Sequence, residues 1–319
     1  MPVTPTPPRR RSLWKRFRRA TRAPRNAVLA EGIWQVGRAV RALPLPVSLA
    51  IGRGLGRAAH ALLGTPRRLA LAHVRMALPD ADAAAVVRGT FLHAGQAYVE
   101  LACWPKLKAR TDYVHVEGEE HMAAGLAGGR GLVAITGHVG NWELLAATMS
   151  ARGWPVTVVA RKVNDARFDA LIRRFRGDRG MEILDRDDPR FLAQVRDALA
   201  RNRIVAILMD QDSRGGGVFV PFFGRLAHTP PGPAIIALRT KAPVIAIFIR
   251  RRPEGGHVIS MAPISVEAGG SAAGKVEALT ARFTAAIEAA IRRSPSEWVW
   301  WHERWRRRPE GEGRAEGAA

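Results

Sequence analysis

Short runs rich in Val, Ile, Leu and Ala constrain the fold of this chain more than any other feature. They stand at 113–116, 131–136, 156–160, 204–209, 244–249 and 258–261, and helical periodicity fills several of the gaps between them. Such near-continuous apolar runs are typical of strands that are buried on both faces of a parallel sheet. The pattern predicts an α/β fold with a mixed, partly parallel central sheet flanked by helices. Between Lys275 and Arg293, apolar residues at helical spacing predict a helix that faces the core.

Composition and Pro/Gly breaks divide the chain into four predicted regions. Residues 1–26, Pro-rich and then Arg-rich, are expected to form a basic, disordered arm. Residues 27–110 are expected to be helical and membrane-associating, residues 111–308 to form the α/β core, and residues 309–319 to be a disordered tail.

The net charge of +22 is concentrated at the amino terminus, where nine Lys or Arg and no acidic residue occupy the first 25 positions. Such a surface suits anionic lipid headgroups, an acidic carrier protein or nucleic acid. We find no secretory signal and no run of 18 uncharged apolar residues. Residues 33–43 instead present a mostly apolar face edged by Arg38 and Arg41, which favours a helix lying in the headgroup plane over one that only caps a soluble core.

The single cysteine, Cys103, excludes an internal disulfide and is consistent with a reducing cytoplasm. It lies in an apolar helical stretch without a neighbouring basic group or helix start that would lower its pKa. We therefore expect a small buried hydrophobic side chain and not a nucleophile.

The segment 137–143, Gly-His-Val-Gly-Asn-Trp-Glu, follows the second apolar run directly and reads as a strand-to-helix turn. Two glycines allow a tight backbone, and Asn141 is a good helix cap. His138 and Glu143 converge only if the histidine lies in the turn and the glutamate in the first helical turn. A neutral histidine oriented by a carboxylate is a general base for a hydroxyl nucleophile.

This segment resembles the signature block of the bacterial lipid A biosynthesis acyltransferases, which share a His-x4-Asp/Glu motif with glycerolipid acyltransferases. Similar blocks follow in the same order at 161–164, 209–212, 217–224 and 295–302. The resemblance spans about residues 40 to 306 and implies a glycerolipid-acyltransferase-like fold. It also implies that His138 and Glu143 are catalytic, that no metal or other cofactor is needed, and that an acyl thioester is the co-substrate.

The resemblance and the predicted strand ends together indicate the substrate-binding residues. Arg161 and Asp210 each follow a predicted strand, where a parallel sheet presents ligand-binding groups. An Arg there can grip a phosphate, and polar groups after residue 209 fit an acceptor pocket or support for His138 better than a metal site. The expected set is Arg161, Asn164, Asp210, Gln211, Asp212, Phe222, Phe223, Gly224 and Arg225.

Two further segments have alternative interpretations. The unusually apolar stretch 219–225 is either a loop that borders the acyl and phosphate sites or a core strand. Tryptophans 298, 300, 301 and 305, which surround His302, suit a membrane interface, an acyl-chain lining or ordinary packing of the last helix. His302 is a second-site candidate only.

These features predict a membrane-associated O-acyltransferase at the cytoplasmic face of a bacterial inner membrane. It would move a fatty acyl group from acyl carrier protein, or acyl-CoA, to a hydroxyl of a lipid A precursor or similar anionic glycolipid. An acidic carrier accounts for the charge without nucleic acid. Alternative acceptors are a lysophospholipid, a phosphatidylinositol mannoside, an aminolipid or water, and a non-catalytic membrane- or nucleic-acid-binding protein is the alternative of a different class. The sequence predicts no oligomeric state.

Overall fold

The computed structural model of the chain describes residues 31–32, 35–162, 169–170, 173, 176–212 and 215–309. The predicted basic arm, 1–26, lies outside the described residues, and so does the predicted tail beyond residue 309.

Helices dominate the chain before residue 110. After a helical segment at 35–42 come α1 (Leu45–Leu62), α2 (Gly64–Ala77), α3 (Ala83–Ala102) and α4 (Trp104–Lys108). Helices α1 and α3 approach closely through glycines, since a Cβ atom on Gly95 would lie 2.2 Å from the carbonyl oxygen of Gly52. No helix in the described ranges is both long and apolar enough to cross a bilayer.

A seven-stranded sheet forms the centre of the molecule. Its strands lie in the order β1-β9-β8-β2-β5-β3-β4, and every neighbouring pair is parallel except β8 with β9. A separate antiparallel hairpin pairs β6 with β7. The strands are β1 (Val114–Glu117), β2 (Leu132–Thr136), β3 (Val156–Ala160), β4 (Glu182–Asp185), β5 (Ile204–Leu208), β6 (Val218–Phe222), β7 (Arg225–Thr229), β8 (Val244–Arg251) and β9 (His257–Ile264).

Helices cover both faces of this sheet. Side chains on both sides of the central strands are therefore buried, which is why these strands consist almost entirely of apolar residues. Leu132 and Ala134 of β2 join one buried cluster, whereas Val133 and Ile135 join the other. Since successive strand residues point to opposite faces, both faces are buried. The later helices are α5 (Glu119–Leu126), α6 (Trp142–Ala151), α7 (Phe191–Ala200), α8 (Gly232–Thr240) and α9 (Ala272–Arg293).

The predicted fold class is confirmed for the sheet and its flanking helices. All six predicted strands are present, and the predicted helix 275–293 begins three residues earlier, where Ser271 accepts the Gly274 N–H. Cys103 is fully buried, as expected. Strand β4 was missed because it is only four residues long and carries acidic residues at both ends.

The loop interpretation of 219–225 is wrong, and the alternative, a core strand, is right. Phe222 is fully buried and Phe223 is 6% exposed. The hairpin turns at Phe223 and Gly224, whose φ angles are +53° and +72°. Positive φ at both central residues is typical of two-residue hairpin turns, because their backbone twist matches that of the flanking strands. The Phe223 N–H donates to the Glu288 carboxylate of α9 over 2.6 Å.

The tryptophans near the carboxyl end pack into the core. Trp298 and Trp300 are fully buried, Trp305 is 5% exposed, and their rings contact the β6–β7 hairpin. Of the three interpretations of this cluster, ordinary packing agrees with these contacts, because fully buried rings have no surface to offer to a membrane.

Candidate active site

A tight turn joins β2 to α6 and holds the predicted histidine. The Asn141 side-chain oxygen accepts the Leu144 N–H over 3.1 Å, which confirms the predicted helix cap. Gly140 has a φ of +64°, and a Cβ atom there would lie 2.0 Å from the carbonyl oxygen of Ile249. Only glycine fits this position, because both the backbone angle and the close approach exclude a side chain.

His138 lies beside Asp210, which follows the neighbouring parallel strand β5. The Nδ1 atom of His138 is 2.8 Å from Oδ1 of Asp210, and the backbone N–H of His138 donates to Oδ2 over 2.9 Å. The register of β2 and β5 pairs Thr136 with Leu208, so both side chains emerge two residues beyond the paired positions. Parallel pairing therefore brings together two residues that are 72 positions apart in the sequence.

The carboxylate of Asp210 is fully buried and well supplied with hydrogen-bond donors. Besides the two bonds from His138, it accepts the indole N–H of Trp298 over 2.8 Å. Burial by itself raises the pKa of Asp210, but the adjacent His138 and these hydrogen bonds outweigh burial and lower it to about 2. Asp210 is therefore an anion at neutral pH.

An anionic Asp210 fixes the tautomer of His138. Its carboxylate can only accept a hydrogen bond, so Nδ1 carries the proton and Nε2 keeps its lone pair. The His138 side chain is 23% exposed, and Nε2 has no hydrogen-bond partner within the described ranges. The Trp142 ring contacts the imidazole edge to face, with centroids 4.8 Å apart, and restricts its rotation. This arrangement presents a proton acceptor to the solvent.

The expected contact between His138 and Glu143 is not formed. Glu143 lies in the first turn of α6, as predicted, but its carboxylate accepts a bidentate pair of hydrogen bonds from Arg176. Both side chains of this ion pair are 17% exposed. The contact with His138 is absent because β5 places Asp210 directly against Nδ1, while Glu143 faces the segment that carries Arg176.

The other predicted binding residues occupy different environments. Arg161 follows β3 as predicted, but it is 56% exposed and pairs with Asp187 over 3.0 Å. Asn164 lies outside the described residues. Gln211 is half-buried next to Asp210, and the structure gives it no contact with His138.

Asp212 belongs to a second ion-pair cluster, with His228 and Arg306. Its buried carboxylate lies 2.8 Å from Nδ1 of His228 and accepts from Arg306 over 2.9 Å. The Nδ1–Oδ1 distance in this pair equals that between His138 and Asp210. The imidazole of His228 is only 7% exposed, however, so it does not present an accessible nitrogen as His138 does. No group of three metal-ligating side chains is found within the described ranges.

The structure separates the predicted segment 222–225 into two parts. Phe222 and Phe223 are core residues, whereas Gly224 and Arg225 are exposed at the tip of the hairpin. No contact joins any of the four to His138 or Asp210 in the described part of the chain. Their predicted role in substrate binding remains a prediction.

His302 lies near His138 and Asp210 without bonding to them. It is half-buried, and burial, together with the neighbouring His138 and Arg304, lowers its pKa against the opposing effect of Asp210. Its Nδ1 atom is buried with no hydrogen-bond partner among the described residues. We assign it no role.

A buried polar network supports the turn from below. The Glu100 carboxylate is fully buried and accepts from Arg251 over 2.7 Å and from Asn141 Nδ2 over 2.9 Å. It also accepts from the Tyr113 hydroxyl over 2.8 Å and lies 2.9 Å from Nε2 of His257. Burial opposes ionisation, but His257 and Arg251 outweigh it and hold the pKa of Glu100 well below its usual range. Asn141 thus links the start of α6 to a fixed internal anion.

The segment that begins at Glu297 holds the other side of the turn. The Gly140 N–H donates to the Glu297 carbonyl over 2.8 Å, and Val139 forms a β-bridge with Trp298. The Glu297 carboxyl accepts the Arg251 N–H over 3.0 Å. Burial raises the pKa of this carboxyl to about 7, although Arg251 opposes the shift.

Sequence reasoning missed several of these residues for identifiable reasons. Asp210, predicted to bind substrate or to support His138, forms the contact that the second role requires, and its role in substrate binding stays a prediction. Arg176 lies in an arginine-rich stretch with no distinguishing spacing, and Glu100 lies in an otherwise ordinary helix. The only available signal was that Asp210 ends a predicted parallel strand, as His138 does.

Comparison with known proteins finds relatives of this chain among acyltransferases. Phosphatidylinositol mannoside acyltransferase from Mycobacterium tuberculosis (strain H37Rv) is 30% identical over 208 residues, which cover 63% of this chain and 62% of that protein. The Mycolicibacterium smegmatis protein of the same name is 27% identical over 58% of this chain. The chain thus spans about three-fifths of the length of these mycobacterial relatives.

A second group of relatives aligns over more of the chain. Lipid A biosynthesis lauroyltransferase from Escherichia coli K12 is 26% identical over 280 residues, which cover 84% of this chain and 88% of that protein. Residues 14–307 match the family described as bacterial lipid A biosynthesis acyltransferase. The match includes His138, Asp210 and nearly all of the described fold. The chain belongs to the bacterial lipid A biosynthesis acyltransferase family.

Proposed function

We propose that this protein is an O-acyltransferase that moves a fatty acyl group from a thioester to a hydroxyl of an anionic glycolipid. The observation that carries the proposal is the accessible Nε2 of His138, which has no partner among the described residues and whose ring is held by the buried anion Asp210. This pair lies at the carboxyl edge of a largely parallel sheet, where α/β proteins bind their ligands.

The proposed reaction needs one proton acceptor. His138 Nε2 takes the proton from the acceptor hydroxyl while its oxygen attacks the thioester carbonyl carbon. The C–S bond then breaks, and the leaving thiolate receives the proton from Nε2. Asp210 stabilises the imidazolium that exists between these two transfers. A thiolate is a good leaving group, so the proposed chemistry requires neither a metal nor a redox cofactor.

The start of α6 supplies donors for the oxyanion that develops on the thioester carbonyl. The N–H groups of Trp142 and Glu143 belong to the first helical turn, where no intrahelical acceptor exists. They stand four and five residues after His138 in the sequence. Donors fixed in this way stabilise developing negative charge without reorganisation in the transition state.

Arg176 is the proposed contact for the anionic acceptor. Glu143 holds its Nε and Nη2 atoms, while Nη1 has no partner within the described ranges. A guanidinium fixed in this way has a donor free for a phosphate. This assigns Glu143 an indirect role, which is to orient a substrate-binding arginine and not the imidazole.

A lipid A precursor is the first acceptor candidate, supported by the family match and by the aligned lauroyltransferase. A phosphatidylinositol mannoside is the second, favoured by the 30% identity to the mycobacterial relative. Both are anionic glycolipids, so the chemistry at His138 is the same. Mass spectrometry of lipids from a deletion strain, which identifies the species lacking one acyl chain, distinguishes them.

We place the enzyme at the cytoplasmic face of the inner membrane, with acyl carrier protein as donor. The net charge of +22 suits both an acidic carrier and anionic lipids. Val47, Leu55 and Leu62 of α1 are 46%, 54% and 80% exposed, which supports interfacial binding of this helix.

Purified His138→Ala tests the proposal. We expect acyl transfer to a lipid acceptor to fall by about 10²–10⁴-fold, because the general base is lost. The control is His115→Ala, which removes an exposed histidine on β1. Transfer by folded His138→Ala at the rate of the control would refute the mechanism. Free fatty acid released at the same rate without acceptor lipid would indicate a hydrolase instead.

A further inference from the structure

A cavity of about 370 Å³ lies between α1 and the turn that joins β8 to β9. Leu45, Leu49 and Arg53 of α1 form one wall, and Arg252 from the turn forms the opposite wall. Arg110, Asp112 and Tyr113, which precede β1, complete it together with Glu254 of the turn, so two carboxylates line the cavity beside its three guanidinium groups. None of these residues contacts His138 or Asp210 through a hydrogen bond, ion pair or ring contact in the described structure, and only Tyr113 belongs to the network that supports the turn.

The walls combine an apolar strip with guanidinium groups. Leu45, Leu49 and Arg53 are spaced four residues apart, so they form one stripe along α1 that runs from apolar to cationic. Arg53 is exposed, and it makes no ion pair or hydrogen bond within the described ranges.

The other two guanidinium groups are held in place. Asp112 binds Arg110 through two hydrogen bonds of 3.3 and 2.8 Å. Arg252 donates to the backbone carbonyls of Gly255 and Asp112 and pairs with Glu254. Within the described part of the chain, the cavity therefore offers one unpaired guanidinium, that of Arg53, and two oriented guanidinium groups that each pair with a carboxylate. Such an arrangement suits a phosphate group better than a neutral polar group.

The cavity lies at the sheet edge that carries the catalytic pair. Strand β8 runs parallel to β2, so its last residue, Arg251, lies at the same edge as His138. The β8–β9 turn is one to two strand positions from β2, or roughly 5–10 Å along the edge.

The cavity is also joined to the support of the catalytic turn. Tyr113, one of its walls, is buried and donates its hydroxyl proton to Glu100. Glu100 in turn accepts from Asn141, the cap of α6. These bonds keep the wall rigid, so the oriented guanidinium groups do not have to be ordered when a ligand binds.

We propose that this cavity binds the phosphate headgroup of an anionic membrane phospholipid, with one acyl chain lying along Leu45 and Leu49. The bound lipid is not the acyl acceptor. It fixes the orientation of the enzyme on the membrane so that the sheet edge with His138 faces the bilayer. The inference extends the membrane association proposed above to a defined site.

Vesicle binding by the full chain tests this site. Co-sedimentation with phosphatidylcholine vesicles, with and without phosphatidylglycerol, is measured for the unmodified chain, Arg53→Gln and Arg57→Gln. Arg57 is the matched control, because it is an exposed arginine one turn further along α1 that does not line the cavity. For phosphatidylglycerol vesicles we expect a loss of roughly thirtyfold for Arg53→Gln, typical of a lost charge-assisted hydrogen bond. Arg57→Gln should lose about fivefold, as one surface cation does.

Equal losses in the two variants would overturn the proposal, because they would show diffuse attraction and not a site. Thermal melting with inorganic phosphate distinguishes a lipid headgroup from free phosphate. Two results together would assign the site to free phosphate and overturn the lipid assignment. Phosphate would raise the melting temperature of the unmodified chain but not of Arg53→Gln, and the substitution would leave vesicle binding unaffected. Because the readout is binding and not turnover, the result is independent of whether the enzyme transfers acyl groups.

Discussion

Asp210→Asn tests the central pair most directly, because the structure dictates how the new amide would lie. The backbone N–H of His138 and the indole N–H of Trp298 both donate to Oδ2, so the amide oxygen must take that position. The amide NH₂ group would then face Nδ1 of His138 and donate to it. This forces the proton onto Nε2, the atom that must act as the base.

The size of the effect follows from the lost charge. Two unit charges at the 2.8 Å separation of Nδ1 and Oδ1 attract each other by about 6 kcal/mol at an effective dielectric constant of about 20. The imidazolium in the transition state loses this attraction in the variant. At about 1.4 kcal/mol per tenfold change, the expected fall in rate is roughly 10⁴-fold. The corresponding substitution in a Ser-His-Asp triad has an effect of about this size.

The assay is the initial rate of acyl transfer from a thioester to a lipid acceptor, with circular dichroism to confirm folding. The matched control is Asp212→Asn, which changes an equally buried carboxylate that also lies 2.8 Å from a histidine Nδ1, but from that of His228. We expect the control to lose less than about tenfold, since Asp212 has no contact with His138. A folded Asp210→Asn enzyme whose rate is within about tenfold of the control would refute this account of the pair.

Two further substitutions test the roles of the Glu143 and Glu297 carboxylates. Glu143→Gln is expected to raise KM for the anionic acceptor more than it lowers kcat. Its effect should not add to the effect of Arg176→Gln. A loss in kcat as large as that of His138→Ala would instead show that Glu143 acts directly on the reaction. The pKa of Glu297 is raised by burial, so between about pH 4.5 and 7 the folded chain keeps a proton that the unfolded chain releases. The contribution of Glu297 to the free energy of unfolding therefore falls as the pH rises through that window. Glu297→Gln should therefore become more stable relative to the unmodified chain by about 2–3 kcal/mol between pH ~5 and pH ~8, measured by urea unfolding at each pH, whereas a difference independent of pH would contradict the assignment.

Local sequence information was sufficient for the elements that build the site. The apolar run of β2, the two glycines and the Asn141 cap each act within a few residues, so their pattern alone predicts the strand, the turn and the helix. The placement of Glu143 in the first turn of α6 follows from the same local rules. Those local rules do not specify which side chain pairs with the Glu143 carboxylate.

Long-range pairing decided that point. Asp210 reaches His138 because β5 pairs with β2 in parallel, and Arg176 reaches Glu143 from a segment 33 residues later. A sequence spacing of five residues suggested a His–Glu pair, but the tertiary structure offered the imidazole a nearer carboxylate.

Thus the sequence by itself determined six of the strands, the turn after β2 with its Asn141 cap, and that a histidine lies in that turn. Only the tertiary structure decided which acid orients that histidine, and that Phe222 and Trp298 pack in the core. The physical reason is that propensity and capping depend on neighbours along the chain. Hydrogen-bond partners and burial instead depend on strand register, which joins residues that are far apart in the sequence.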